Sequence, residues 1–388
     1  MSCAFEKPAR VLALVYSVAH FVITGVRQPL ANFYGDFLAS FPSWKLASLT
    51  GKLDWFYGNL AESWAKPPVW HYGPVEHLVT LPLFLCASLR QAYVAWLFVC
   101  YAFVAIAMLI AKRIVGDWFV VIVVFFNFNP LYEALTQRTI ELFELMLLFL
   151  AYALYRRGRD TGAGMAIGTA AMTKFLPLIY LPWLVLQRRW RALLAAVAVI
   201  VPIAVATQFI FGWQNSGILI QLGHGSFNKS ELNQSFSGVV IRIAEWTHTN
   251  LPIPTISRVA IVIGLVALSL FLLRGRRGAD VEFGLLAVAM VLLPPHNEQY
   301  YFVFLLIPYV LLYPRHRSEW SWRTALLALS FVLVAVPIPM SLLQRATGLD
   351  VFSLYLRAGI PFVGAALLVA VLVSEHGTSY ALLTPREK

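Results

Sequence analysis

Charge is what this chain most lacks. Of its 388 residues only 13% are Asp, Glu, Lys or Arg, about half the share carried by an ordinary soluble domain. So few charges cannot coat a water-facing surface of this size, which excludes a soluble enzyme and a self-repelling disordered tail. Cysteine is also scarce: Cys3, Cys86 and Cys100, the last two inside apolar runs and none at metal-ligand spacing. A disulfide scaffold is excluded, and the thiols read as small hydrophobes. Internal repeats, low-complexity tracts, a separate soluble domain and a glycine-rich nucleotide fingerprint are all missing.

What is present in excess is apolar sequence, at 60% of residues. With about 20 apolar residues per bilayer crossing, the chain reads as one all-α polytopic membrane domain over 1–388, with about 10–12 transmembrane helices. Val11–Val26 follows Lys7 and Arg10 without a small-residue cleavage site and reads as an uncleaved first span. Further runs lie near Ala92–Ala111, Trp118–Leu131, Ile140–Tyr155, Ala192–Phe211, Val259–Leu273, Phe283–Leu293, Phe302–Tyr313, Ala325–Pro339 and Ala358–Val373.

The net charge of +11 falls in short basic turns between these runs. That distribution points to membrane orientation rather than nucleic acid. Arg156/Arg157/Arg159, Arg188/Arg189/Arg191, Arg274/Arg276/Arg277 and Arg315/His316/Arg317 are all assigned to the cytoplasmic side. Gly162–Leu186 then has a cytoplasmic turn at each end and the length of a single crossing. Two half-helices in a re-entrant hairpin over 162–186 resolve this, with Lys174–Phe175 at the apex and Pro177 opening the return arm. Val75–Leu89 is too short to cross and reads as a partial or interfacial helix.

This topology puts 29–75, the turn at Asn129–Arg138, the loop 212–257 and the turn near His296–Tyr300 on the outer face. Aromatic and aliphatic residues from Phe37 to Leu60 alternate with polar ones. The alternation fits amphipathic helices on the membrane surface, or else an aromatic belt with loops.

Ionisable groups in membrane segments are functional candidates by default. Asp36, after the first span, is either a general base or a helix cap. Arg138, Glu141 and Glu144 fall at i, i+3 and i+6 at the start of the Ile140–Tyr155 run and share one helical face. Arg138 either pairs with Glu141 or meets a phosphate or sugar. Lys174 lies roughly 20 Å along a helix from Thr161, and either pairs with Glu141 or Glu144 or reaches an outer cavity. His296 either contacts an anionic leaving group or caps a turn. Asn233, Gln234 and Ser235 offer amides and a hydroxyl for a sugar. His71, Glu76 and His77 lack zinc-motif spacing. With the exception of Lys174, all these candidates fall at the outer face.

Gly35-Asp36-Phe37 after the first span, the segment WHYGPVEHLVTLPLF with Tyr72, the small-residue run ending in Lys174 and Pro177 before a basic turn, Asn233–Gly238 (NQSFSG) and, more loosely, LLPPHNEQYY resemble the GT-C superfamily of membrane glycosyltransferases. They resemble glycosyltransferase family 87, the polyprenol-phosphate-mannose-dependent mannosyltransferases, most of all. Thr136-Gln137-Arg138-Thr139 departs from the family's Gly-Gln-x-Asn. The resemblance implies a GT-C-like bundle and inverting transfer of a hexose, mannose by family likeness, from a polyprenyl-phosphate donor to a hydroxyl of a membrane glycolipid or glycan. It implies Asp36 as base, Lys174, Arg138 and His296 at the donor phosphate, and Tyr72, Glu141, Asn233, Gln234 and Ser235 at the sugar or acceptor. It implies no metal, no cofactor beyond the donor, no nucleic-acid partner, and a bacterial plasma-membrane enzyme with an extracytoplasmic site among membrane lipids. The rival reading from another class is a lipid-linked sugar flippase or secondary transporter, which would show repeated halves and a midplane site.

Overall fold

A computed structural model describes residues 3–31, 74–211, 232–274, 278–317 and 320–375. Among these residues every regular element is helical. In lipid, an open chain satisfies its backbone polar groups in this way. Lys7–Ala31, Arg90–Val115 and Ile253–Leu273 are each long and apolar enough to cross a membrane. Three bent pairs qualify when each is taken as one broken span: Trp118–Phe126 with Asn129–Gln137 (63°), Trp322–Ala335 with Met340–Thr347 (70°), and Val351–Arg357 with Ile360–Ser374 (51°). Other apolar helices, such as Glu141–Arg156 and Ala279–Leu292, are shorter and largely buried within the bundle. On Ile253–Leu273, Val259, Val262, Ile263, Val266 and Leu270 are exposed. Such a stripe would aggregate in water and suits a bilayer.

Several runs break where a uniform apolar reading does not show it. Trp118–Leu131 is two helices: Asn127 ends the first, and Pro130 enters the first turn of the second, where a missing N–H is harmless. The turn expected at Asn129–Arg138 therefore contains a 9-residue helix. The outer loop 212–257 contains the 11-residue helix Phe236–Trp246 and the start of the next span; its residues 212–231 lie outside the described residues, as do residues 32–73 of the outer amphipathic segment. Val75–Leu89 covers most of the short helix Pro74–Thr80 and the 3-10 turn Leu81–Leu85, in which Pro82 sits.

Three of the four basic turns converge at one end of the bundle. Arg156 Nη1 lies 2.6 Å from Asp280 Oδ1, and Arg315 Nη2 lies 3.3 Å from Asp280 Oδ2. Arg315 also faces Glu375 at 3.4 Å, and Tyr152 donates to Asp280 at 2.5 Å. Arg189 and Asp160 pair at 3.3 Å, which brings the second basic turn beside the first. Arg274 caps Ile253–Leu273, and Arg276 and Arg277 of the third basic turn lie outside the described residues.

The Asp160–Arg189 pair also closes the base of a hairpin. Asp160–Lys174 climbs about 22 Å at 1.5 Å per residue. Phe175, at φ 61°, reverses the chain, and the 3-10 turn Leu176–Ile179 and helix Tyr180–Leu186 return it. Glycine makes the first arm possible. A Cβ on Gly164 would sit 1.9 Å from the Ala192 carbonyl oxygen, and one on Gly168 would sit 2.7 Å from that of Ala196. The hairpin thus packs backbone to backbone on Trp190–Phe211, as small residues allow in membranes.

Candidate functional site

The end opposite the basic turns gathers the polar groups. Glu141–Arg156 has 16 residues, so Glu141 lies about 24 Å from its basic end, level with the hairpin apex. There Lys174 donates to Glu141 Oε1. The Lys174 ammonium lies 4.0 Å from the Tyr301 ring centroid and 5.6 Å from that of Tyr300. The two rings stack at 4.7 Å. This combines a buried ion pair with a cation held over aromatic faces. Glu144, one turn along, is fully buried, and neither of its oxygens has a hydrogen-bond partner among the described residues. Glu76, from Pro74–Thr80, is also buried and acts electrostatically on Glu144.

Arg138 does not share the helical face of Glu141 and Glu144. It caps the preceding helix in the left-handed region, at φ 54°, and so precedes theirs. Glu141 pairs with Lys174 rather than with Arg138. The Arg138 guanidinium lies 3.6 Å over the Tyr93 ring. It donates to the carbonyls of Thr136, at 2.9 Å, and Pro29, and Trp96 Nε1 donates to the Arg138 carbonyl at 2.9 Å. Arg138 therefore clamps the chain at Pro29, seven residues before Asp36. Tyr101 adds a bond to the Gly25 carbonyl at 2.6 Å.

Asn233, Gln234 and Ser235 are fully buried and tie two segments together. Asn233 Oδ1 accepts from Ser235 N at 3.1 Å, Ser235 Oγ at 2.8 Å and Asn297 N at 3.1 Å, while its Nδ2 donates to the Pro295 carbonyl at 3.0 Å. Gln234 donates from its backbone to Asn297 at 2.6 Å and from its side chain to Leu356 at 3.1 Å. Ser235 caps Phe236–Trp246, and Arg242 donates to the Asn233 carbonyl at 2.7 Å. A Cβ on Gly238 would meet that carbonyl oxygen at 2.1 Å. His296, on the fastened turn, lies 3.3 Å from Glu298.

The structure thus joins Lys174 and Glu141 directly. It links His296 to the Asn233 knot through Asn297, and sets Arg138 three residues before Glu141. Asp36 and Tyr72 lie outside the described residues. Sequence reasoning missed Tyr300, Tyr301 and Asn297 as parts of the site. Their signal was an aromatic and amide pattern following His296, overshadowed by the histidine. A groove of about 470 Å³ lined by Leu181, Val185, Leu193 and Leu273 is apolar apart from Ser269 and offers no reacting group.

No curated protein and no solved structure matches this chain. The model of glycosyltransferase family 87 matches residues 70–295, more than half of the chain, and spans Glu76, Arg138, Glu141, Lys174, the Asn233 knot and the Pro294–Pro295 turn. The chain is a membrane glycosyltransferase and belongs to glycosyltransferase family 87.

Proposed function

We propose that the protein moves a hexose, mannose in the first instance, from a polyprenyl-phosphate donor to a hydroxyl of a membrane glycolipid or glycan at the extracytoplasmic face of a bacterial plasma membrane. The observation that carries this reading is the buried Lys174 ammonium, held over Tyr301 at the end opposite the basic turns. A donor whose leaving group is a lipid phosphate needs a cation where that charge develops. It also needs to approach from the membrane, which is where a bundle with so little charge resides.

In this mechanism the acceptor hydroxyl attacks the anomeric carbon while Asp36 takes its proton. The carbon–oxygen bond to phosphate breaks with inversion, and polyprenyl phosphate leaves with the electron pair. Lys174 and His296 stabilise the departing anion. Arg138 serves this end by fixing the chain at Pro29, seven residues before Asp36 in sequence. Asn233, Gln234 and Ser235 hold the turn carrying His296 in place, and the sugar or acceptor is assigned to Tyr72 and Glu141. The reading asks for no cofactor beyond the donor.

The test is to incubate purified protein with a panel of labelled polyprenyl-phosphate sugars and membrane glycolipids. Transfer of one hexose is expected. Folded protein that turns over no donor in the panel counts against the reading.

A further inference from the structure

Charge is scarce in this chain, yet the end of the bundle opposite Lys174 carries more cations than it pairs. Arg157 and Arg159 follow Glu141–Arg156, and Arg188 and Arg191 flank the start of Trp190–Phe211. The Arg189–Asp160 pair, at 3.3 Å, holds these two turns side by side. It occupies the one carboxylate that the two turns contain, and Arg156 is taken by Asp280 at 2.6 Å. Arg157, Arg159, Arg188 and Arg191 are exposed, and their guanidinium groups make no hydrogen bond, ion pair or ring contact among the described residues. Between the turns lies a polar cleft of about 290 Å³, lined by Gly158, Arg159, Asp160, Thr161, Gly162 and Arg191. One helical turn deeper the exposed surface becomes apolar. Met165 lies four residues beyond Thr161, Leu194 lies three beyond Arg191, and both are exposed. Trp190, also exposed, adjoins Arg191 in the chain, as aromatic rings do at membrane interfaces.

We propose that this cleft seats a phosphate of an anionic phospholipid from the adjoining leaflet, with the acyl chains lying on Met165 and Leu194. Charge complementarity selects the headgroup. Unpaired guanidinium groups beside a carboxylate already held by Arg189 favour a phosphodiester, whose oxygens accept paired N–H bonds from arginine. A zwitterionic headgroup brings an ammonium that the same arginines repel. The apolar side chains select a lipid, because a soluble anion leaves them unused. Four cations on two turns match a headgroup with two phosphodiesters, as in cardiolipin, better than one with a single charge. Basic pockets between membrane helices on the side where positive turns gather bind headgroups of this kind. About 22 Å of helix separates the cleft from Lys174, so this lipid is neither donor nor acceptor, and the inference is independent of the proposed reaction. A phosphate shared by Arg159 and Arg191 would tie the base of the hairpin to the helix that follows it.

Native mass spectrometry of the full chain in neutral detergent tests this, with cardiolipin, phosphatidylcholine of the same acyl chains and inorganic phosphate as separate probes. Cardiolipin is expected to bind about thirtyfold more tightly than phosphatidylcholine. Arg159→Gln/Arg191→Gln should bring the two lipids level. Arg317→Gln, which removes an exposed arginine at the same end but outside the cleft, should keep the difference. Equal binding of the two lipids by the wild type overturns the inference. So does an undiminished preference in the double variant, or an equal loss in Arg317→Gln, which would reduce the effect to general attraction. Inorganic phosphate that binds as tightly as cardiolipin makes the ligand a soluble anion and overturns the lipid. If the double variant is not recovered folded, Arg159→Gln alone should lower the preference about fivefold, and an unchanged preference there overturns the site.

Discussion

Lys174 and Glu141 lie 33 residues apart in sequence and form an ion pair inside the bundle, at the apex of a hairpin whose base is closed by Asp160 and Arg189. Two structural devices bring them level. A left-handed residue at Phe175 halts one helix, and a left-handed residue at Arg138 sets the start of the other. Non-glycine residues in that region cost free energy and persist where their surroundings over-determine them, often at functional sites.

The pair predicts an asymmetric response to mutation. Lys174→Met leaves a carboxylate buried without its partner and should destabilise the fold by about 3–5 kcal/mol. The double variant Lys174→Met/Glu141→Gln should recover most of that loss and no transferase activity. Thermal unfolding in detergent, run beside a transfer assay, separates the two effects.

Asn233 offers a second test. Its side chain makes four hydrogen bonds, two to Ser235 and one each to Pro295 and Asn297. Asn233→Ala should cost about 2–3 kcal/mol by leaving buried groups unpaired, and Ser235→Ala about 1 kcal/mol through the lost helix cap. Both losses should appear with no donor or acceptor present. Full stability with weakened sugar binding would instead place these side chains against substrate.

Hairpin packing depends on which glycine is changed. Gly164→Ala should sharply lower the yield of folded protein, because the new Cβ meets the Ala192 backbone at 1.9 Å. Gly162→Ala meets the Leu154 Cδ1 atom at 3.1 Å, the movable end of a side chain, and should be tolerated. Size-exclusion profiles of the two purified variants make the comparison.

At the basic end, burial pushes the Glu375 carboxyl up, but His316, Arg315 and Arg323 outweigh it and hold the group below its ordinary value. A depressed carboxyl contributes stability that is complete above its unfolded value of about 4.3 and is lost as pH falls through the folded value. Unfolding temperature should therefore drop on acidification below about pH 5, and Glu375→Gln should drop less over that range. An equal acid response in both proteins would contradict the assignment.

The membrane class, the common end of three of the basic turns and the broken segment around Lys174 were legible because each follows from charge scarcity and positional bias. Helix breaks were less so. Asn127 and Pro130 lie within or beside an apolar run, and hydropathy does not register the backbone reversal that Arg138 makes. Lys174 was conspicuous as one cation after a run of small residues, yet its partner depended on where two helices stop. The side chains of Asn233 and Ser235 read as open polarity for a sugar, since nothing local shows that Pro295 and Asn297 receive them. Long-range hydrogen bonds leave no periodic trace in the chain.

In the proposed reaction sugar leaves a lipid phosphate at the Lys174 end of the bundle under general-base help from Asp36. The most direct measurement is transfer of labelled mannose from polyprenyl-phosphate mannose to a glycolipid by purified wild type, Asp36→Asn and Lys174→Met, with the anomeric configuration of the product determined. An inverted product is expected from the wild type, with a loss of about 10²–10⁴-fold in Asp36→Asn and a comparable loss in Lys174→Met. Near-wild-type transfer by Asp36→Asn, or a product with retained configuration, would contradict the proposed reaction.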